Sequence, residues 1–176
     1  MDEINIVEYD PYWPGRYVAE AEFLRSVLPP ELVVAMEHIG STAVPGLSAK
    51  PVIDILIVVR SVQQARAVAV PALEDLGYAF WSDNPRRDRL FFVKGLPPDA
   101  PYRTHHLHMA EPGSDVSDIL LFRDYLRSHP KEASRYATIK LELMEHYRAD
   151  REGYTAAKSS YVEEVLVIAR AKSPRI

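Results

Sequence analysis

At 176 residues, 47% hydrophobic and 26% charged, the chain is long enough for one domain, residues 1–176, with its own core, and too apolar to be disordered. It has no cysteine, which excludes a disulfide framework and a thiolate zinc site. Its net charge of -4 and pI of about 5.9 argue against generic nucleic-acid binding and leave room for a local basic site.

The opening MDEINIVEYDPYW is acidic and lacks an apolar run, so it does not read as a signal peptide. No segment approaches the roughly 18 apolar residues of a membrane helix, and a cytoplasmic address is expected. Ile4 to Tyr9 form a short alternating stretch before Asp10-Pro11. A helix is expected from Pro14 to Leu28, with Pro14 in the first turn and Tyr17, Ala21, Leu24 and Leu28 as its apolar stripe. Pro29-Pro30 stops it.

A strand follows, in which Glu37 and His38 face opposite sides. Glu37 shares a face with Ala35 and Ile39, and would point the same way as Asp54 if the two strands are neighbours. Gly40-Ser41 reads either as an ordinary turn or as a turn whose free N–H groups and hydroxyl suit phosphate. The next strand, Val52 to Val59, is apolar on both faces, as a covered central strand is, except for Asp54. A buried carboxylate is costly unless paired or metal-bound. Asp54 is therefore either a site residue or a strand-mouth Asp capped by backbone N–H groups.

Ser61 is expected to cap a helix from Val62 to Leu76, with Ala65, Val68, Ala69 and Leu73 inward and Pro71 kinking or shortening it. Tyr78–Trp81, Leu90–Lys94 and Tyr102–Met109 read as a meander of strands joined by turn-rich segments. Arg86, Arg87, Arg89, Lys94 and Arg103 stand against Asp88 and Asp99 there, five minus two, a local +3. Arg86 and Arg87 read as solvated turn residues, whereas Arg89 and Lys94, at strand ends, are placed to reach an anion. His106 and His108 share one strand face, with Leu107 and Met109 on the core side. The pair either makes hydrogen bonds alone or shares a metal or anion, and Asp54 with Glu37 would complete a metal set. Such a histidine-carboxylate set favours zinc or manganese more than an all-carboxylate one.

From Ser114 the period is helical. Ser114 caps a helix with Asp115 and Asp118 in its first turn and Ile119, Phe122 and Leu126 inward. Pro130 starts the next, with Ala133, Tyr136, Ala137, Leu141 and Met144 recurring at three and four. A last helix spans roughly Thr155 to Ala171 and buries Ala157, Tyr161, Val165 and Ile168. Lys158 and, with less support, Lys140 read as snorkelling lysines or as phosphate ligands.

The stretch EHIGSTAVPGLSAKPVIDILIVV, residues 37–59, resembles the signature of the GrpB family, also designated UPF0157, within the nucleotidyltransferase-fold superfamily. HHLHM at 105–109, FRDYLRSHP at 122–130 and YTAAKSSYV at 154–162 fit as well, so the resemblance runs from about Val7 to about Ala169. It implies an α+β, nucleotidyltransferase-like fold: a mixed sheet with helices on one face, a polar cleft on the other, and a C-terminal helical group. It implies metal-dependent transfer of a nucleotidyl or related phosphate-containing group to an acceptor. Asp54 and Glu37 would be the catalytic carboxylates, and Gly40, Ser41, Lys50, Arg89 and Lys158 would hold phosphates. Asp54, His106 and His108 would hold a divalent metal: magnesium, manganese or zinc. The superfamily strand bears two carboxylates one residue apart around a pair of magnesium ions. Leu56 stands where the second should be, so at most one ion is expected. Relatives are fused to dephospho-coenzyme A kinase, which implies an alternative, a non-catalytic module binding a nucleotide or coenzyme A precursor. A metal-dependent hydrolase using His106 and His108 is a third reading.

Overall fold

The computed structural model describes residues 4–96, 100 and 102–172. The chain runs through α1 (Trp13–Val27), β1 (Val33–Ile39), a short 3-10 turn (Ser41–Ala43), β2 (Ile53–Val59), α2 (Val62–Glu74), β3 (Tyr78–Phe80), β4 (Arg89–Lys94) and β5 (His105–Ala110). Four helices end it: α3 (Ser114–Ser128), α4 (Pro130–His146), α5 (Arg151–Ala157) and α6 (Ser159–Lys172). The strands form one mixed sheet in the order β1-β2-β5-β4-β3, with β2 and β5 parallel and every other pair antiparallel.

β2 is apolar on both faces because both are covered. Ile53, Ile55, Ile57 and Val59 point into the main core with Leu24 and Leu28 of the α1 segment and Ala65, Ala69 and Leu73 of α2. Leu56 and Val58 point the other way, into a smaller cluster with Ile39, Ala110 and Val116, where α3 lies on the sheet. Each fully buried aliphatic side chain contributes about 1.5–3 kcal/mol relative to exposure, so this strand anchors two layers at once. The α4 and α6 helices close a third cluster, in which the Tyr136 and Tyr161 rings stack at 5.1 Å and Val44 and Leu47 of the β1–β2 connection are buried.

The meander is present as β3-β4-β5, and the helices lie close to their expected positions, with differences that have physical causes. Only Val7 of the first alternating stretch pairs, in an isolated bridge to Ala49. β5 begins at His105 rather than Tyr102, and Tyr102 is exposed. Ser61 does cap α2, accepting from Gln64 N at 3.3 Å, but Val68 points to solvent because the buried stripe is the narrower Ala65, Ala69, Leu73. α3 starts at Ser114 itself, with Gly113 in the cap position. On α4 the inner face carries Lys140 and leaves Leu141 exposed, since that stripe faces a cleft as well as a core. The last helix is interrupted at Lys158, which joins α5 to α6. Among the described residues no helix is long and apolar enough to cross a membrane.

Candidate functional site

The parallel pairing of β2 with β5 sets Asp54 directly beside His106, and Leu56 beside His108, on the sheet face that α1 and α2 do not cover. His106 Nδ1 lies 3.0 Å from Asp54 Oδ1, and His108 Nε2 lies 3.7 Å from the same oxygen. Phe91 of β4 backs both rings, with centroids 5.2 and 4.9 Å away. Burial by itself would raise the Asp54 pKa, but the two imidazoles outweigh it and hold the carboxyl well below the usual range. Burial also pulls His106 below its ordinary value, against the opposing pull of Asp54. A neutral His106 donating Nδ1–H to an ionised Asp54 satisfies both shifts. Its other nitrogen, Nε2, is buried with no partner among the described residues.

The Gly40-Ser41 turn closes over the same carboxylate. Gly40 has φ 71° and ψ -173°, and a Cβ there would overlap Asp54 Oδ2, so only glycine lets the turn approach so closely. A hydrogen-bonded chain holds the turn from behind. Thr42 Oγ1 donates to Val52 O at 3.3 Å and lies 3.0 Å from His38 Nε2, which fits the Nε2–H tautomer of a neutral His38. Burial lowers the His38 pKa to about 4. The ring stacks on Tyr17 at 4.8 Å, on the core side of β1.

Between this sheet face and α3–α6 lies a cleft of about 530 Å³, within the usual ~300–1,000 Å³ of small-molecule sites. Four arginines and three lysines line it, against the carboxylates Asp54 and Asp118, which gives seven minus two, or +5, in a chain of net charge -4. The lysines gather around two tyrosines. Lys158 and Lys50 lie over the Tyr154 ring at 4.3 and 5.4 Å, and Lys140 over Tyr136 at 4.9 Å. Lys140 is 3% exposed and donates to the Ser48 carbonyl. Burial, then the charges of Lys158 and Lys50, lower its pKa to about 7. Burial, then Lys50, lowers that of Lys158 to about 8, with Asp54 opposing.

Gly40, Ser41, Lys50, Asp54, Arg89, His106, His108 and Lys158, named from the sequence, all line this cleft. Glu37 does not. It lies on the expected face, paired with Leu56, but accepts from Arg123 Nη1 at 2.8 Å and does not line the cleft. Arg89 reaches the cleft already paired, with Nη2 2.7 Å from Asp115 and 3.2 Å from Asp88. Lys94 points to the opposite face and binds Glu20 at 2.8 Å. Arg86 is held by Asp88 and Asp115, and Asp99 falls outside the described residues. Arg103, counted in the local basic group but given no role, lines the cleft too, with Arg123 and Arg151, which the sequence did not single out. Arg123 stands in the FRDYLRSHP segment; Arg151 has no local signal, because only the tertiary fold brings α5 over the sheet.

Among the described residues the carboxylates that a pair of magnesium ions would need are not assembled. Leu56 is 1% exposed within the packing of α3 on the sheet, and Glu37 is turned to Arg123. Asp118, the other carboxylate of the cleft, is bonded to Arg170. Among the described residues no three of His, Asp and Glu are arranged to hold a metal. Magnesium takes several oxygen ligands, and this cleft presents mostly cationic nitrogen.

Fold and cleft together define an α+β protein whose mixed sheet carries a cation-lined, small-molecule-sized cleft beneath a C-terminal helical group. The chain belongs to the GrpB family: the description "GrpB protein" matches residues 3–167. A UPF0157 protein of Pseudomonas aeruginosa is 46% identical, over 99% of this chain and 72% of its own length. The crystal structure of the conserved protein GrpB from Enterococcus faecalis superposes with a TM-score of 0.83 at 30% identity, covering 96% of this chain and 98% of that one. A dephospho-CoA kinase of Mycolicibacterium paratuberculosis is 26% identical over 92% of this chain, which spans only 44% of that enzyme.

Proposed function

We propose that the cleft binds a phosphate-bearing small molecule of the nucleotide or nucleotide-derived coenzyme class, and that this binding is the function of the domain. The observation that carries it is the excess of seven cationic over two anionic side chains lining one cleft in a chain of net charge -4. Arg89 and Arg123 are met by carboxylates of the protein, but the cations that face the cleft still focus a positive field, which raises both affinity and encounter rate for an anion. The apolar walls contributed by Val44, Phe91, Phe122 and Tyr154 add room for a non-phosphate part of the ligand. The similarity to part of a dephospho-CoA kinase supports placing coenzyme A precursors in the ligand class. Group transfer through a pair of metal ions is the less supported reading, because Leu56 belongs to the packing beneath α3.

Calorimetric titration of ATP, dephospho-coenzyme A and inorganic tripolyphosphate into the protein tests this. Binding of at least one, weakened by about 1–3 kcal/mol in Lys158→Met and absent for adenosine, is expected. Failure of all three anions to bind would reject the phosphate reading, and equal binding by the variant would move the anion away from Lys158.

A further inference from the structure

We infer, building on the phosphate reading above, that the cleft takes its polyphosphate as the metal-free anion, with the lysine cluster meeting the charge that divalent ions meet in two-carboxylate sites. Two independent features of the cleft support this form of the ligand.

The first is what surrounds Asp54, the single carboxylate of β2. Asp54 Oδ1 is shared by His106 at 3.0 Å and His108 at 3.7 Å. On the side of Oδ2, the Gly40 backbone packs so closely that no Cβ fits. Oδ1 is thus engaged by the two imidazoles and Oδ2 lies beside the Gly40 turn, while 26% of the side chain stays open to the cleft. The neighbouring position on the strand is Leu56, and replacing it by a carboxylate would break the cluster that seats α3. An ion bridging protein and phosphate would have a single, encumbered protein ligand, whereas magnesium is normally held by carboxylates along with the phosphates.

The second is the placement of the lysines. Lys50 comes from the β1–β2 connection, Lys140 from α4 and Lys158 from the α5–α6 junction, yet all three meet at the Tyr136–Tyr154 wall of one cleft. Separate elements converge here to place ammonium groups close together, at an electrostatic cost that a dense anion relieves. Ammonium groups and magnesium compete for the same phosphate oxygens. A ligand already neutralised by a divalent ion would leave the lysines facing one another with less charge to bind.

The test is calorimetry of inorganic tripolyphosphate into the full chain, in EDTA and again with excess magnesium, manganese or zinc. Binding in EDTA is expected, with affinity about tenfold weaker in excess magnesium, the scale of one lost charge-assisted contact. Equal or tighter binding with any of the three ions would overturn metal-free recognition while leaving the phosphate reading intact. No binding under any condition would remove both. Lys158→Gln, whose folding is checked by thermal unfolding, should lose about tenfold of the EDTA affinity. An unchanged affinity in that variant would place the anion away from the lysine cluster and overturn the inference.

Discussion

Gly40 meets two demands that no other residue meets together. Its backbone conformation, φ 71° and ψ -173°, is almost restricted to glycine, and its Cα faces the carboxylate of Asp54. Gly40→Ala should cost about 1–3 kcal/mol for the backbone alone, with steric overlap adding to it. The two parts separate in a double-mutant cycle, because Asp54→Ala removes the obstructing carboxylate and leaves the backbone demand in place. Urea unfolding should show Gly40→Ala costing less in the Asp54→Ala background than in the parent. Equal costs in both would mean that the turn does not rest on Asp54. The dipeptide Gly40-Ser41 was readable in the sequence as a turn of this kind, but not that the group it approaches is the protein's own carboxylate. That follows only from β2 lying beside β1, with Ile39 opposite Asp54.

Among the elements, β2 was the most legible, since an apolar run of both parities has no stable place except between two layers. Leu56 was less so. Set against a pattern of paired carboxylates it reads as a missing ligand, and in the fold it is the residue on which α3 sits, with Val116 above and Ile39, Val58 and Ala110 around it. Leu56→Asp should therefore not restore a metal site. It would bury a charge within an apolar cluster at a position 1% exposed, at a cost of several kcal/mol, and Leu56→Ala should cost about 2–5 kcal/mol through the cavity it leaves. Thermal unfolding with and without magnesium checks this. A stable Leu56→Asp protein whose melting temperature rises with magnesium would contradict it. The α4 stripe misled for a related reason. Ala133, Tyr136, Ala137 and Lys140 recur at three and four, so Lys140 fits the inner face, but a rule that reserves that face for apolar side chains selects Leu141 instead.

At the scale of the molecule, a chain of net charge -4 sets seven basic side chains against two carboxylates along one cleft, which composition cannot reveal because the contributing residues run from Lys50 to Lys158 and meet only when α3–α6 fold over the sheet. The consequence is a proton-linked ligand. In the free protein Lys140 and Lys158 have pKa values lowered to about 7 and about 8 from 10.5. The unfolded chain therefore holds more protons than the fold above these values, and the ligand-free protein gains stability as pH rises from about 7 toward 10.5. Binding has the opposite sign. An anion among the lysines favours their charged forms and raises both values, so the complex holds more protons than the free protein, and affinity must climb as pH falls through about 8 and then about 7. ATP is a suitable probe here, because the last ionisation of a singly substituted phosphate lies at about 6 and its charge is nearly constant well above that value. Calorimetry at pH 8.5 in two buffers of different ionisation enthalpy should show net proton uptake on binding, reduced in Lys140→Met and reduced again when Lys158→Met is added. Binding without proton uptake, or an affinity that stays level between about pH 7 and pH 9, would show that the anion does not sit where these two lysines meet.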